Sequence, residues 1–374
     1  MHVDENSPLG LAPSAAQDWL DLQRELALVP ERFGSQIRKG TPPRVILSKL
    51  RSQGGLRSPQ ETVRAERAST DRRRLEALGI RVVPLPDPAY PRPLAELTDS
   101  PLVLLVRGQL SALSWPAIAI VGARAATIAA RATARRLARE LAGAGLTIVS
   151  GLARGIDAEA HRGALEAGGR TLGVLACGLD RIYPPEHRQL VEEMLENGAI
   201  LSEMPLGVAP RREFFPLRNR IISGLCLATI VVEARRRSGS LITVRHALNQ
   251  GREVFVVPGS IDGPFAEGTN QLLRDGARPI RSGSDVIEDL GLQGPMILPR
   301  EVSAESTSAA GEEPEVESLE ARILARLARG PTTRNDLLAQ ADRDAVGLAS
   351  ALLELELAGR VVEERDGRIH RVWC

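Results

Sequence analysis

The chain has 374 residues, of which 43% are hydrophobic, and its formal charge at pH 7 is +1. This length allows two or three globular domains, and the near-zero charge neither requires nor excludes a nucleic-acid partner. The three dispersed cysteines form neither a disulfide framework nor a metal-binding C-x-x-C motif, and no segment reaches 18 uninterrupted apolar residues. Because no signal-peptide pattern follows Met1, we expect a cytoplasmic protein that does not enter a membrane.

The N-terminal part of the chain predicts a tail and a small helical domain. Residues 1–15 have the composition of a flexible tail. Apolar residues from Trp19 onward have helical spacing, which predicts a helical domain over residues 16–72, similar to SAM or helix-hairpin-helix modules. Apolar runs broken by proline over residues 73–116 then predict strands and extended segments that lead into a larger domain.

The central part of the chain predicts a parallel sheet. Its short apolar runs are separated mostly by helical stretches and read AIAIVG, LTIVSG, RTLGVLACG, AILSE, ATIVVEA and EVFVVPG. Fully apolar strands that alternate with helices are typical of a doubly wound, Rossmann-like α/β fold, which together with its lead-in spans residues 73–291. Ligands of such sheets bind beyond the carboxyl ends of the strands. We therefore expect the binding site in the residues that follow each run.

The C-terminal part predicts a separate domain. Residues 292–317 are rich in Pro, Ser, Ala and Glu and predict a linker. Residues 318–374 contain three helical patterns and a hairpin that turns at Asp366-Gly367, which together predict a winged helix. Its third helix, over residues 344–357, carries acidic and no basic side chains, so we interpret this domain as a site of protein contacts or self-regulation.

The first strand–helix turn, IVGARAAT, matches neither the G-x-G-x-x-G fingerprint nor a P-loop. We therefore predict no dinucleotide cofactor and no NTP hydrolysis. Gly122 permits close approach of a ligand to the backbone, and Arg124 stands where a phosphate would be met. The alternative is a glycine that serves only the turn and a solvated arginine.

The segment SGLARGIDAEAH places Ser150 and Gly151 at a strand end, with Asp157 and His161 four residues apart on the next helix. This spacing suits an acid–base pair, but more commonly the aspartate caps its helix and the histidine bonds locally. No nucleophile elbow and no metal-ligand spacing of histidines occurs, so we predict neither a catalytic residue nor a metal.

The segment FFPLRNRIISG puts cations at the start of a predicted helix. Pro216 suits a first helical turn, where the helix dipole disfavours arginine. Either carboxylates pair with these cations, or a bound phosphate offsets their cost. Arginines next to two phenylalanines are the mixture that binds single-stranded nucleic acid, because rings stack on bases and cations neutralise the backbone. We predict this role for Arg212, Phe214, Phe215 and Arg218, with Asn219 and Arg220 mainly bracing the loop.

The segment EARRRSGSLIT adds a second candidate anion contact. Ser238, Gly239 and Ser240 can cap the helix that follows and offer N–H donors, whereas the three preceding arginines have the pattern of a solvated charge run.

In their order along the chain, these motifs resemble those of the DNA-processing protein A family (DprA/Smf). The resemblance rests on IVGAR, SGLARGIDAEAHRGAL, GGRTLGVLACGLDRIYPPEHRQL, LSEMPLG, FPLRNRIISGL, VVEARRRSGSLIT, GREVFVVPG and EGTNQLLRDGA. It implies a homodimer without known enzymatic activity. Such a protein binds and protects incoming single-stranded DNA and loads the RecA recombinase on it during natural transformation.

Carried over residue by residue, the family's Gly-Ser-Arg phosphate contact falls on Gly122, Ala123 and Arg124. Ala123 lacks the hydroxyl that makes this side-chain contact, which leaves the backbone donors and Arg124 available. The basic residue before the family's Phe-Pro falls on Arg212, and its Phe-Pro-x-Arg-Asn-Arg run falls on residues 215–220.

Two other functions stay open at the sequence level. One is a nucleotide-processing enzyme similar to the "lonely guy" phosphoribohydrolases, against which the missing P-G-G-x-G-T-x-x-E signature argues. The other is a sensor that binds a free nucleotide without turnover.

Overall fold

The computed structural model describes residues 13–26, 31–52, 61–261, 263 and 265–292, and in the C-terminal region residues 323, 327, 332–333, 337, 348, 351–352, 355, 361–363 and 368–371. The chain divides into two compact units, Met1–Pro299 and Arg300–Cys374. Most of the predicted tail and the predicted linker beyond Leu292 lie outside the described residues.

Four helices precede the sheet: α1 Pro13–Leu26, α2 Glu31–Arg38, α3 Pro43–Ser52 and α4 Glu61–Ala77. Their apolar side chains, such as Trp19 and Ile46, belong to the same core cluster as the strands of the sheet. The Gln23 amide on α1 donates a hydrogen bond to the Glu203 backbone carbonyl at 2.7 Å, which links α1 to the segment after β6. These helices therefore pack as part of the first unit.

The first unit contains a nine-stranded sheet. Its strands are β1 Ile80–Pro84, β2 Val103–Gly108, β3 Ala117–Val121, β4 Thr147–Ser150, β5 Thr171–Leu175, β6 Ala199–Ser202, β7 Ala228–Val231, β8 Glu253–Val256 and β9 Arg278–Pro279. Their order is β1-β2-β6-β5-β4-β3-β7-β8-β9. The strands from β6 across to β9 are parallel, and β2 and β1 add an antiparallel edge. The six predicted runs form β3 to β8, which confirms the doubly wound fold.

Helices cover both faces of this sheet. They are α5 Arg92–Ala95, α6 Ile128–Gly143, α7 Ile156–Glu166, α8 Arg188–Asn197, α9 Phe214–Gly224, α10 Ser240–Asn249, α11 Glu267–Arg274 and α12 Gly283–Asp289. Alternate residues of β3 enter two different apolar clusters: Ile118 and Ile120 pack with α6, α7 and α12, whereas Ala119 and Val121 belong to the cluster that includes α8, α9 and α10. This alternation follows from the two-residue period of a strand.

The topology places a crevice next to β3. From β3 the chain continues through β4, β5 and β6 on one side and then returns to β7 on the other side of β3. At such a reversal the two connecting segments diverge beyond the carboxyl ends of the neighbouring strands, which leaves room for a ligand. The segments that follow β3 and β7 therefore face each other across this opening.

The second unit contains a three-stranded antiparallel sheet of β10 Thr332–Thr333, β11 Val361–Glu363 and β12 Arg368–Arg371, in the order β10-β12-β11. Strands β11 and β12 flank the predicted Asp366-Gly367 turn, and Val361 pairs with Arg371. Described helical residues such as Leu348 and Leu352 form its apolar core. Most of the predicted acidic third helix lies outside the described residues.

Candidate functional site

A cavity of about 740 Å³ opens at the carboxyl ends of β3 and β7. This volume lies within the range of typical ligand sites, and its position is the crevice that the topology creates. The lining side chains come from segments that follow β3, β4, β5, β6 and β7 and from helices α7, α9 and α10: Val121, Gly122, Ala123, Arg124, Ala125, Ala153, Asp157, Tyr183, Arg212, Phe215, Pro216, Arg218, Asn219, Ile222, Arg235, Arg237, Ser238, Gly239, Ser240, Ile242 and Thr243.

The cavity has an excess of positive charge. Five arginines line it, and Asp157 is the one carboxylate among the described lining residues. Four of the arginines are exposed, namely Arg124, Arg212, Arg235 and Arg237, whereas the fifth is buried. Exposed guanidinium groups around a concave site attract anions, and they match phosphate oxygens geometrically.

The loop after β3 is held in one conformation. A Cβ atom on Gly122 would lie 2.6 Å from a side-chain carbon of Ile156, so no larger residue fits there without rearrangement. The Ala123 N–H donates to the Glu233 backbone carbonyl at 2.8 Å, and the Glu233 carboxylate accepts from the Thr127 hydroxyl at 2.6 Å. These contacts fix the backbone that presents Arg124 to the cavity.

The two phenylalanines at the start of α9 lie in different environments. Phe214 is buried in a small apolar cluster with Ala176 and Met204, so its ring does not line the cavity. Phe215 does line it, and its ring lies 4.9 Å from the guanidinium carbon of Arg124. The ring of Tyr183 meets that of Phe215 at a centroid distance of 5.9 Å and an interplanar angle of 54°.

Arg218 is buried in the cavity wall, with 4% of its surface exposed. Its Nη1 donates to the Gly151 carbonyl at 2.6 Å and to the Val174 carbonyl. Burial lowers the pKa of Arg218 to about 10, and the nearby Asp157 carboxylate opposes this shift. Gly151 does not line the cavity, but a Cβ atom there would lie 2.6 Å from the Arg218 guanidinium nitrogens. Gly151 therefore provides the space in which Arg218 sits.

Asp157 holds the loop that follows β4. Its Oδ2 accepts from the backbone N–H groups of Gly151 at 3.1 Å and Ala153 at 3.3 Å. Burial raises the pKa of Asp157, and Arg218 counteracts that shift. His161 is fully buried, and its Nδ1 lies 2.6 Å from the Thr171 hydroxyl, which itself donates to a backbone carbonyl. Both side chains make structural contacts and no hydrogen bond joins them to each other, but Asp157 braces the preceding loop and does not cap α7, whose N-cap is Gly155.

Asn219 and Arg220 make bracing contacts. The Asn219 amide lies 3.4 Å from the Gly239 carbonyl, which links α9 to the segment before α10. Arg220 points away from the cavity, and its Nη2 donates to both carboxylate oxygens of Glu203, at 2.8 and 2.9 Å. Asp99 lies 3.6 Å from the Arg220 Nε. Carboxylates of the protein itself thus neutralise this cation.

The remaining predicted residues divide in the same way. The hydroxyl groups of Ser238 and Ser240 are 2.7 Å apart and line the cavity together with Gly239. The Ser150 hydroxyl is buried and donates to the Ile120 carbonyl at 2.6 Å. All predicted site residues line the cavity except Ser150, Gly151, Phe214 and Arg220.

Sequence reasoning missed part of the lining. Tyr183 lies in the segment after β5, and ligands of parallel sheets bind beyond the carboxyl ends of the strands. Its contact with Phe215 depends on tertiary packing, which the sequence does not show. Arg235 and Arg237 have the local pattern of a solvated run, yet both line the cavity because β7 lies next to β3. In the described part of the chain, no cluster of His, Cys, Asp and Glu is suited to a metal ion, and no helix has the length and apolarity to cross a membrane.

Family models match both units of the chain. Residues 81–291 match DNA recombination-mediator protein A, and residues 307–367 match the DprA winged helix domain. The DNA processing protein DprA of Bacillus subtilis is 44% identical over 213 residues, covering 57% of this chain and 72% of the relative. Protein Smf of Escherichia coli is 39% identical over 296 residues, covering 79% and 78%.

Solved structures show the same fold. The X-ray structure of DNA processing protein A from Streptococcus pneumoniae superposes with a TM-score of 0.63 at 34% identity, covering 73% of this chain and 97% of that one. A structure of DNA processing protein A from Helicobacter pylori, described for its single-stranded DNA binding mode, superposes with a TM-score of 0.50 at 35% identity. The match covers 54% of this chain and 92% of that one. Because the first family model spans more than half of the sequence, the chain belongs to the DNA recombination-mediator protein A family, DprA/Smf.

Proposed function

We propose that this protein binds single-stranded DNA in the cavity between the ends of β3 and β7 and acts in DNA recombination. The observation that carries the proposal is the combination of four exposed arginines with two aromatic rings in one concave site. Single strands need both features, because cations neutralise the phosphates and ring faces stack on bases regardless of sequence. The Helicobacter pylori relative, whose described property is its single-stranded DNA binding mode, supports this assignment.

Within this proposal, phosphates meet the exposed arginines. Arg124 and Arg212 lie on the side formed by β3 and α9, and Arg235 and Arg237 lie on the β7 side. Each phosphate contact releases counterions, so affinity should fall steeply with salt concentration. Ala123 contributes no side-chain hydroxyl, and Arg124 is the polar side chain of this loop that lines the cavity.

We also propose a cellular role for this protein. As a DprA/Smf protein, the chain would act as a homodimer in natural transformation, protecting incoming single strands and loading the RecA recombinase on them. A recombination assay tests this role: RecA strand exchange on DNA precoated with a single-strand-binding protein should speed up when this protein is added. Acceleration by the wild type but not by Arg124→Ala would tie the loading role to the cavity.

The competing readings concern nucleotides. A cavity of about 740 Å³ is large enough for a mononucleotide, so size alone does not separate a DNA-binding protein from a nucleotide enzyme or sensor. We propose that the protein is not an enzyme, since Asp157 and His161 are engaged in separate structural contacts. Release of free base from nucleotides would contradict this, and competition by mononucleotides at micromolar concentration would favour a sensor.

The decisive experiment is a fluorescence titration of an oligo-dT strand at several salt concentrations. We expect Arg124→Ala to weaken binding and to lower the magnitude of the slope of log K against log salt by about 0.7, the value for one phosphate contact on a single strand. Arg92→Ala is the matched control, because Arg92 is an exposed arginine on α5 and does not line the cavity. If Arg124→Ala and Arg92→Ala both bind like the wild type, the cavity is not the DNA site.

A further inference from the structure

Two aromatic side chains line the cavity, Tyr183 and Phe215. Two more lie next to it: Phe214, and Phe265, whose ring is 4.2 Å from the guanidinium carbon of the lining residue Arg235. Phe214 is 8% exposed and packs in its apolar cluster, so no base can reach its ring. Phe215 is half-buried. Tyr183 is 42% exposed and lines the cavity.

The ring of Phe215 is already in contact with cations. The guanidinium carbon of Arg124 lies over this ring at 4.9 Å and that of Arg218 at 5.9 Å. Both distances are within the range of cation–π attraction. A base that stacks on Phe215 must displace at least one of these groups or share the ring with it. The contacts of Phe215 therefore suit a residue that positions arginines.

Tyr183 is held differently. Its neighbour Ile182 packs against the main core, and the Nδ1 of His187, at the end of the following short turn, lies 2.9 Å from the Leu152 carbonyl. The backbone on both sides of Tyr183 is thus anchored. The ring itself meets Phe215 at a tilt of 54°, so that contact leaves ring surface accessible from the cavity.

We infer that Tyr183 is the side chain on which a base of the bound strand stacks, and that Phe215 acts as a positioning residue for Arg124. The inference rests on the proposed function and refines it, because the sequence motif alone assigns stacking to the phenylalanines. A nucleotide stacked on Tyr183 lies in the same cavity as the exposed Arg124 and Arg212, so its phosphate and its base meet complementary groups together.

The test is a thermodynamic cycle between protein and DNA. Wild type, Tyr183→Ala, Tyr183→Phe and Phe215→Ala are each titrated with oligo-dT and with an abasic strand of the same length. We expect Tyr183→Ala to weaken binding of oligo-dT by about 5- to 150-fold, the range of one base–aromatic stack, and to leave abasic binding unchanged. Tyr183→Phe should bind like the wild type, because stacking needs the ring and not the hydroxyl.

Phe215→Ala should weaken both strands by similar factors, because a misplaced Arg124 affects the phosphates that both strands share. Tyr183→Leu, which keeps an apolar side chain but has no ring, is the second variant if Tyr183→Ala fails to fold. Equal losses on the two strands for both Tyr183 variants, or no loss on oligo-dT, would overturn the inference. In that case a normal wild-type affinity and a flattened salt slope for Arg124→Ala would still support the proposed function. Absence of wild-type binding would overturn both.

Discussion

The ion pair between Arg220 and Glu203 is the most buried charged contact near the cavity. The side chains are 6% and 4% exposed, and one guanidinium nitrogen contacts both carboxylate oxygens at 2.8 and 2.9 Å. We take Arg220→Met as the perturbation, because methionine keeps the apolar stem and removes the charge. The variant leaves Glu203 buried without its main cationic partner.

The expected loss of stability is large. Removing one partner of a buried pair typically costs about 3 to 5 kcal/mol, since the remaining charge stays desolvated. The pair is almost fully buried and has good geometry, so we expect Arg220→Met to lie in this range at pH 8. The double variant Arg220→Met/Glu203→Leu removes the stranded charge as well and should recover most of the loss.

The loss should also depend on pH. Burial already raises the pKa of Glu203, and Arg220 counteracts that shift, so the variant raises this pKa further. A carboxyl group with a raised folded-state pKa binds its proton more readily in the folded state than in the unfolded state. Stability of the variant relative to the wild type should therefore improve as pH falls from 8 towards 5, by at most about 1.4 kcal/mol per pH unit.

Urea denaturation of the wild type, the single variant and the double variant at pH 8 and pH 5 measures these differences. In parallel, DNA titration of the folded variant should give the wild-type salt slope, because Arg220 does not line the cavity. The reasoning fails if Arg220→Met unfolds like the wild type at pH 8. A salt slope reduced in magnitude by about 0.7 would instead make Arg220 a phosphate contact.

Two further predictions concern the loop after β4 and helix α7. Gly151→Ala should displace the Arg218 guanidinium and lower the free energy of unfolding by about 1.5 to 3 kcal/mol, because charged hydrogen bonds are lost. An unchanged urea midpoint would show that the surrounding residues accommodate the methyl group. Burial lowers the pKa of His161 to about 3, below the ordinary 6.5, so the unfolded state binds the extra proton and stability falls as pH drops below 6.5. We expect this group to lower the free energy of unfolding by about 2 kcal/mol between pH 6.5 and 5. His161→Asn can still donate to Thr171 but does not titrate, so denaturation curves at the two pH values should lack this loss.

The sheet and the position of the site were predictable from the sequence because the signals are local. Each of β3 to β8 is a short apolar run, and the carboxyl ends of parallel strands meet at one edge whatever the strand order. The place of β1 and β2 was not predictable, since their antiparallel pairing on β6 joins residues far apart in the chain.

Individual roles within the site were harder to predict because they depend on packing. Phe214 and Phe215 are adjacent and identical in type, yet Phe214 enters an apolar cluster and Phe215 lines the cavity. Tyr183 carries no charge or glycine signal that would distinguish it. The carbonyl that accepts a hydrogen bond from Arg218 belongs to Gly151, 67 residues away in the sequence, and only folding brings the two residues together.

At the start of α9, groups of the protein itself compensate the arginine charges, although the helix dipole disfavours cations at this position. Arg218 and Arg220 are two residues apart, so they project about 200° apart around the helix and meet different surroundings. Carbonyls at the sheet edge surround Arg218, and the Glu203 carboxylate neutralises Arg220. The protein itself therefore offsets the cost of these cations before any phosphate binds. It follows that the salt dependence of DNA binding should arise mainly from the exposed arginines, Arg124, Arg212, Arg235 and Arg237, whose charges remain available at the cavity.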